Sequence, residues 1–379
     1  MVKPAISRPK IRPAALSYLL SQYGLPPSAS RSVTALAGGF SGTNYRVEVV
    51  GRPTLCVKIC HGYSRAFCES QAKVQDHLRS AGFALACFAL PILADGSKFQ
   101  FATLDPDTGD PCLALTFLEG RAADAVLESG AVREDVLFME FGRALAKMHS
   151  VKLGDAELRH FSKGGACDVQ KHIDGTLYDR MKASTHTRKH PFFTDFYGDR
   201  LAALRNAMAR SNELPQGVLH GDPFLDNALV DPSNGSFSGF VDFEDATTGP
   251  LLFDVACCVI GTCFPEGSSA FDVTRFGHLM RGYCSVRRLS QLEVTLFASF
   301  ARLTLLCNCS WRFINFFVDH REVVDCRDRY LELHDRILTL ERRSTVSAIQ
   351  GILRVFVEEE EEEEEDPSLR TSRRTLLLA

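Results

Sequence analysis

The chain has 379 residues, 45% of them apolar and 24% charged, with a formal net charge of −4. This is the make-up of a globular protein with a sizeable core and room for two lobes, and no run of eighteen apolar residues offers itself as a membrane span. Glu358 to Asp366 is unbroken acid; taking those nine from the 47 acids leaves 38 against 43 basic residues, an excess too small and scattered to predict nucleic-acid binding.

The thirteen cysteines include no C-x-x-C pair, and Cys257–Cys258 and Cys307-x-Cys309 sit in apolar surroundings. They read as buried thiols in a reducing compartment rather than zinc ligands or a disulfide framework. The first acid is Glu48, after Lys3, Arg8, Lys10 and Arg12, a pattern that suits an organelle transit peptide. Ala14 to Tyr23 already reads as a folded helix closed by Gly24 and Pro26, leaving residues 1–13 as an extension. The expected compartment is the cytoplasm, with mitochondrion or plastid as the alternative.

After that helix, Ser32 to Ala37 is a predicted strand that enters the glycine-rich segment Gly38, Gly39 and Gly42. Strands follow at Tyr45 to Val50 and at Thr54 to Cys60, the latter carrying Lys58. Ser64 to Ser80 has helical periodicity, and two more strands are expected near Phe99 to Leu104 and Leu113 to Phe117. Residues 14–118 therefore read as a small antiparallel sheet with one helix. Residues 119–345 read as a mainly helical lobe: Glu134 to His149 is amphipathic, Asp199 to Ala209 is helical, and Leu251 to Leu340 is helical with breaks at Pro265–Ser269 and Gly282. Residues 346–379, with the poly-Glu run, read as a solvated tail. The expected class is α+β, a bilobal arrangement with the charged motifs at the junction.

One segment carries most of the chemistry. In His220-Gly221-Asp222-Pro223-Phe224-Leu225-Asp226-Asn227, Asp222 and Asn227 stand five positions apart, the spacing of a kinase catalytic loop. There one carboxylate orients the hydroxyl to be phosphorylated, and an amide oxygen a short loop later coordinates magnesium. Asp242 ends the second strand of the hairpin that follows, where a carboxylate can bridge metal ions beneath nucleotide phosphates. As isolated residues, Asp222 and Asp226 would be turn caps; the ordered set argues for catalysis. Backbone N–H groups of the Gly38–Gly42 loop suit the covering of phosphates.

The stretch His220 to Asn227 with Asp242 resembles the motifs of the aminoglycoside phosphotransferase and choline kinase superfamily, a likeness that extends over about residues 14 to 340. It implies a protein-kinase-like fold using ATP and Mg²⁺, Asp222 as catalytic base, and Asn227 and Asp242 as metal ligands. Lys58 resembles the strand lysine that contacts the α- and β-phosphates, with Glu69 as its expected helix partner. Phe117 and Leu118 fall in the segment that resembles the inter-lobe connection meeting adenine. Asp254 looks like the aspartate that braces the catalytic loop, although a core helix cap is the alternative, and His220 is a loop support.

Within the superfamily the chain is similar to type II homoserine kinases, through Gly39 to Tyr45, Gly221 to Asn227, Asp242 to Ala246 with Gly249-Pro250, and Gly282 to Glu293. Pro223 departs from the usual Leu. Homoserine would need a cation for its carboxylate and an acid for its ammonium, for which Arg302, Glu244 and Asp245 are candidates; each is equally a structural ion-pair member. Hydroxylysine, choline, ethanolamine or an aminoglycoside would need a similar acidic pocket. The expected partner is thus a small-molecule substrate, with no nucleic acid and no membrane. A nucleotide-binding pseudokinase acting as an interaction module is the other class, and a metal-dependent hydrolase a third.

Overall fold

Alternation along the early strands builds a two-faced sheet. The structure, a computed structural model, describes residues 11–26, 30–36, 42–92, 100–154, 176–185, 187, 190–319 and 328–357. Strands β1 (Ser30–Ala35), β2 (Gly42–Val49), β3 (Leu55–Cys60), β4 (Ala102–Leu104) and β5 (Pro111–Thr116) form an antiparallel sheet in the order β1-β2-β3-β5-β4. Successive side chains point to opposite faces. Tyr45, Val47, Leu55, Val57 and Ile59 therefore pack on one side against Leu16, Leu19 and Leu20 of α1 (Pro13–Gln22). The opposite face presents Asn44, Cys56, Lys58 and Cys60 to a cleft. Helix α2 (Arg65–Ser80) starts where Ser64 caps the Phe67 N–H, and its apolar side, with Cys68, Ala72, Val74 and Leu78, joins the main core.

The larger lobe begins with β6 (Arg121–Ala122), α3 (Ala123–Ser129) and α4 (Glu134–His149), and continues through α5 (Thr176–Ala183) and α6 (Gly198–Ala209). Strand β7 (Gln216–Leu219) pairs with β10 (Thr247–Pro250), and the hairpin β8 (Ala228–Val230) to β9 (Phe237–Phe240) pairs with β6. Helices α7 (Leu251–Thr262), α8 (Val273–Cys284), α9 (Gln291–Arg312), α10 (Tyr330–Glu341) and α11 (Arg343–Leu353) complete it. Ser290 and Glu293 close a capping box at the start of α9. The apolar helical stretch Gln291–Phe317 is long enough to cross a membrane, yet 72% of its most apolar window is buried in the fold, as befits a core helix.

Two expectations are corrected. Gly282 does not break a helix; it lies inside α8. Its side faces the Met139 carbonyl of α4, while Gly142 of α4 faces the Leu279 carbonyl of α8, and a Cβ at either site would collide with backbone. These glycines are there for close approach between helices. Residues 346–357 are not tail either: α11 buries Ile349 and Leu353 in the core, and Val357 bridges to Leu289. The poly-Glu run and Gly38 and Gly39 lie outside the described residues.

Candidate active site

The loop after β7 is held by its backbone. Gly221 takes φ +84°, and a Cβ there would run into the Asp245 carbonyl, so the turn requires glycine. Asp254, fully buried on α7, accepts from the His220 N–H at 2.8 Å and the Gly221 N–H at 2.9 Å. That carboxylate braces the loop by accepting from two backbone N–H groups whose places the fold fixes. His220 is itself buried, with Nε2 against the Val241 carbonyl at 2.9 Å and Nδ1 accepting from the Asp222 N–H at 3.3 Å. Nε2 is thus the protonated nitrogen, and burial pulls the imidazole below its ordinary pKa.

The hairpin then carries Asp242 to the same place. The Val241 N–H donates to the Asn227 carbonyl at 2.9 Å, so the two metal-ligand candidates leave the ladder side by side. Asn227 donates its Nδ2 to Asp222 Oδ2 at 2.8 Å and to the Asp222 carbonyl at 3.0 Å. Its nitrogen orients Asp222, which leaves the amide oxygen as the atom for a cation. Asp242 sits at φ 63°, the only non-glycine with positive φ among the described residues. A backbone held there for an L-residue is strained, and such strain concentrates at functional sites.

Opposite stands Lys58 of β3, whose Nζ lies 2.6 Å from Asp242 Oδ1 and 2.5 Å from Glu244 Oε1. Burial alone would lower the lysine pKa; Asp242 and Glu244 instead hold it well above the ordinary value. The cleft between the lobes measures ≈ 670 Å³. Among its described lining residues Lys58 is the one cation, facing Asp124, Asp226, Asp242 and Glu244. Such a set of carboxylates and an amide suits a hard divalent ion, and no three described His, Cys, Asp or Glu side chains form a complete metal cage. Magnesium is ordinarily held by one or two carboxylates with the rest from phosphates and water, so these residues fit it.

Phe117 and Leu118 line the cleft, and Phe117 also lies under the Arg46 guanidinium at 4.8 Å. Gly42 opens β2 where a Cβ would stand 2.9 Å from the Ile59 carbonyl and 3.2 Å from Lys58 Cε. Two candidates are corrected. Glu69 does not pair with Lys58; its carboxylate accepts from the Phe101 and Ala102 N–H groups at 3.0 and 2.9 Å, pinning the start of β4. Arg302 does not reach the cleft: its guanidinium returns to the Ala298 carbonyl and Ser299 Oγ of its own helix, at 3.2 and 3.3 Å. Glu244 lines the cleft, whereas Asp245 packs its backbone on Gly221.

Sequence reasoning passed over several residues. His149, buried at the end of α4, links Asp254 at 3.1 Å to the Tyr283 hydroxyl at 2.8 Å. Arg287 donates to Tyr283 at 3.2 Å and to Glu293 at 2.9 Å, so the brace continues to the start of α9. Gln71, turned so that its nitrogen meets acceptors, donates to the Ala246 and Phe243 carbonyls at 2.8 and 3.0 Å. A polar residue on the apolar stripe of an amphipathic helix is the signal that marks His149 and Gln71.

The phosphotransferase enzyme family matches residues 32–289. A homoserine kinase of Brucella anthropi is 28% identical over 289 residues, 76% of this chain and 79% of the relative. A homoserine kinase of Brucella melitensis is 43% identical over 90 residues, 24% of this chain and 27% of that relative. Among solved structures, a microcompartment-associated aminopropanol kinase superposes with a TM-score of 0.60 at 18% identity, covering 89% of this chain and 98% of that one. The Plasmodium vivax ethanolamine kinase gives 0.59 at 12% identity, covering 88% and 89%. The chain belongs to the phosphotransferase enzyme family and is a small-molecule kinase of the protein-kinase-like fold.

Proposed function

We propose that this kinase phosphorylates the hydroxyl of a small amino alcohol or amino acid, using ATP and Mg²⁺, and that homoserine is its acceptor. The observation that carries the reading is the convergence of Lys58, Asn227 and Asp242 on one cleft, with Asp222 held by the Asn227 Nδ2 donor at 2.8 Å and Lys58 donating to Asp242 at 2.6 Å. The homoserine kinase likeness over 76% of the chain supports the acceptor. When bound, ATP supplies the phosphoryl group and Mg²⁺ neutralises its phosphates. Asp222 receives the hydroxyl proton in an orientation fixed by Asn227. Asn227 Oδ1 and Asp242 would hold the metal, and Lys58 would bind phosphate oxygens while Glu244 keeps it charged.

A second reading is an amino alcohol without a carboxylate. The turning of Arg302 onto its own helix favours it, since Lys58 is then the one cation among the described cleft residues. The test is a panel of homoserine, hydroxylysine, ethanolamine, choline and an aminoglycoside, scored by Mg²⁺-dependent ADP release. Turnover with ethanolamine or choline but not homoserine would discard the acceptor and keep the kinase. ATP binding without turnover of any acceptor would instead favour the pseudokinase. With the preferred acceptor, Asp222→Ala is expected to lower kcat by about 10²–10⁴-fold with an unchanged melting temperature. Undiminished kcat would refute the assigned base.

A further inference from the structure

We propose that Gln71 is the positioning residue through which the small lobe sets the magnesium site. The inference rests on the kinase reading above, since the metal concerned is the one that accompanies ATP. Gln71 lies in the middle of α2, is 5% exposed, and lines the cleft. Its amide nitrogen donates to the Ala246 carbonyl at 2.8 Å and to the Phe243 carbonyl at 3.0 Å. Both of its N–H groups are thus spent on backbone acceptors. Those two carbonyls bracket the 3₁₀ turn Phe243–Asp245, which begins at the residue after Asp242.

Separate parts of the site meet at this turn. It carries Glu244, which lies 2.5 Å from Lys58 Nζ, and its Asp245 backbone lies against Gly221 of the catalytic loop. The Phe243 ring packs on the His220 ring at 4.6 Å between centroids. Asp242 precedes the turn at φ 63°, a conformation that an L-residue keeps only where its surroundings impose it. Inside the turn the Ala246 N–H donates to the Phe243 carbonyl at 3.2 Å. Gln71 adds two hydrogen bonds to it from the other lobe.

Helix α2 is itself fixed to the small lobe. One helical turn after Gln71, Gln75 Oε1 accepts from the Ala89 N–H at 3.0 Å. Just before the helix, the Tyr63 hydroxyl donates to Glu244 Oε2 at 3.4 Å, and the Tyr63 ring stacks on Phe67 of α2 at 4.7 Å. Asp242 is therefore held from α2 as well as from its own hairpin. Groups that orient a metal ligand from behind set the affinity of the site, and the coupling is reciprocal: a metal that fixes the turn also steadies α2.

The test sets Gln71→Met, which keeps the side-chain length and removes both donors, against Gln75→Met, which removes a buried amide of the same helix that faces Ala89 instead. Mg²⁺ is titrated into the full chain with the non-hydrolysable analogue AMP-PNP present, and binding is read as a rise in melting temperature. Gln71→Met is expected to need about tenfold more Mg²⁺ for half of the rise. Gln75→Met is expected to melt lower but to keep the parent half-point. A Gln71→Met half-point equal to the parent's overturns the proposal, and so does an equal shift in both variants. Should Gln71→Met not fold, hydrogen exchange on the parent chain decides. Adding Mg²⁺ to the chain with AMP-PNP is expected to slow exchange in residues 64–80 together with residues 242–250; slowing confined to 242–250 overturns the link. A parent chain that responds to AMP-PNP neither with nor without Mg²⁺ overturns the nucleotide reading and this inference with it. A responding parent matched by Gln71→Met overturns this inference alone.

Discussion

Lys58 needs a carboxylate close by to remain charged in a buried cleft, and the structure gives that task to Glu244 and Asp242 rather than to Glu69. If Asp242 is drawn to a metal, Glu244 is the partner left to hold the lysine. Glu244→Gln is therefore expected to raise KM for ATP by at least about tenfold, the equivalent of ~1.5 kcal/mol for a hydrogen bond to a charged group. Glu69→Gln is expected to leave KM for ATP near the parent value while lowering thermal stability; the reverse pattern in steady-state kinetics would restore the Glu69 pairing. His220 gives a prediction in pH. Its folded pKa lies below the ordinary value of about 6.5. Between the two values the unfolded chain binds the extra proton, so this residue's contribution to stability is present above about pH 6.5 and is lost as pH falls towards the folded pKa. Melting temperature is expected to drop more steeply between neutral and mildly acid pH in the parent than in His220→Gln, whose amide still donates to Val241. Equal slopes would show that His220 titrates normally.

The contact between α4 and α8 shows how much one missing Cβ decides at the level of an element. Gly277 and Gly282 occupy the same helix and look alike in sequence, and Gly282 reads there as a break. In the fold, a Cβ on Gly282 meets the Met139 backbone, while one on Gly277 finds only Ile352 Cδ1 at 4.0 Å. Backbone cannot yield as a side chain does. Gly282→Ala is thus expected to destabilise by about 1–3 kcal/mol or more through overpacking. Gly277→Ala is expected to stabilise by up to about 1 kcal/mol through helix propensity. Urea midpoints at unchanged m-value measure both, and the same sign for the two variants would refute the close-packed interface. Because α4 ends in His149 and α8 carries Tyr283, the same contact sets the distance between two links of the brace behind Asp254.

For the molecule as a whole, what was legible in the sequence was local. The loop from His220 to Asn227, the hairpin to Asp242 and the strand with Lys58 are each written in consecutive residues, with turn glycines and alternation to mark them. The partner of Lys58 was not legible, because Asp242 lies 184 residues away and which acid meets the lysine depends on how the lobes close. The end of the folded body was misread for a similar reason. The poly-Glu run dominates the composition after residue 346, and hides that Ile349 and Leu353 repeat at helical spacing into the core. A chain ended after Val357 is expected to melt like the full chain. One ended after Arg342 loses α11, its two core side chains and the Val357 bridge to Leu289. Truncating one buried Ile or Leu to Ala costs about 2–5 kcal/mol, so deleting both with their helix is expected to lower the melting temperature markedly. The damage falls where α11 meets α8 and α9, the helices that carry Tyr283 and Glu293, so kcat is expected to fall with stability rather than after it. A chain ended at Arg342 with the parent melting temperature would place α11 outside the cooperative fold.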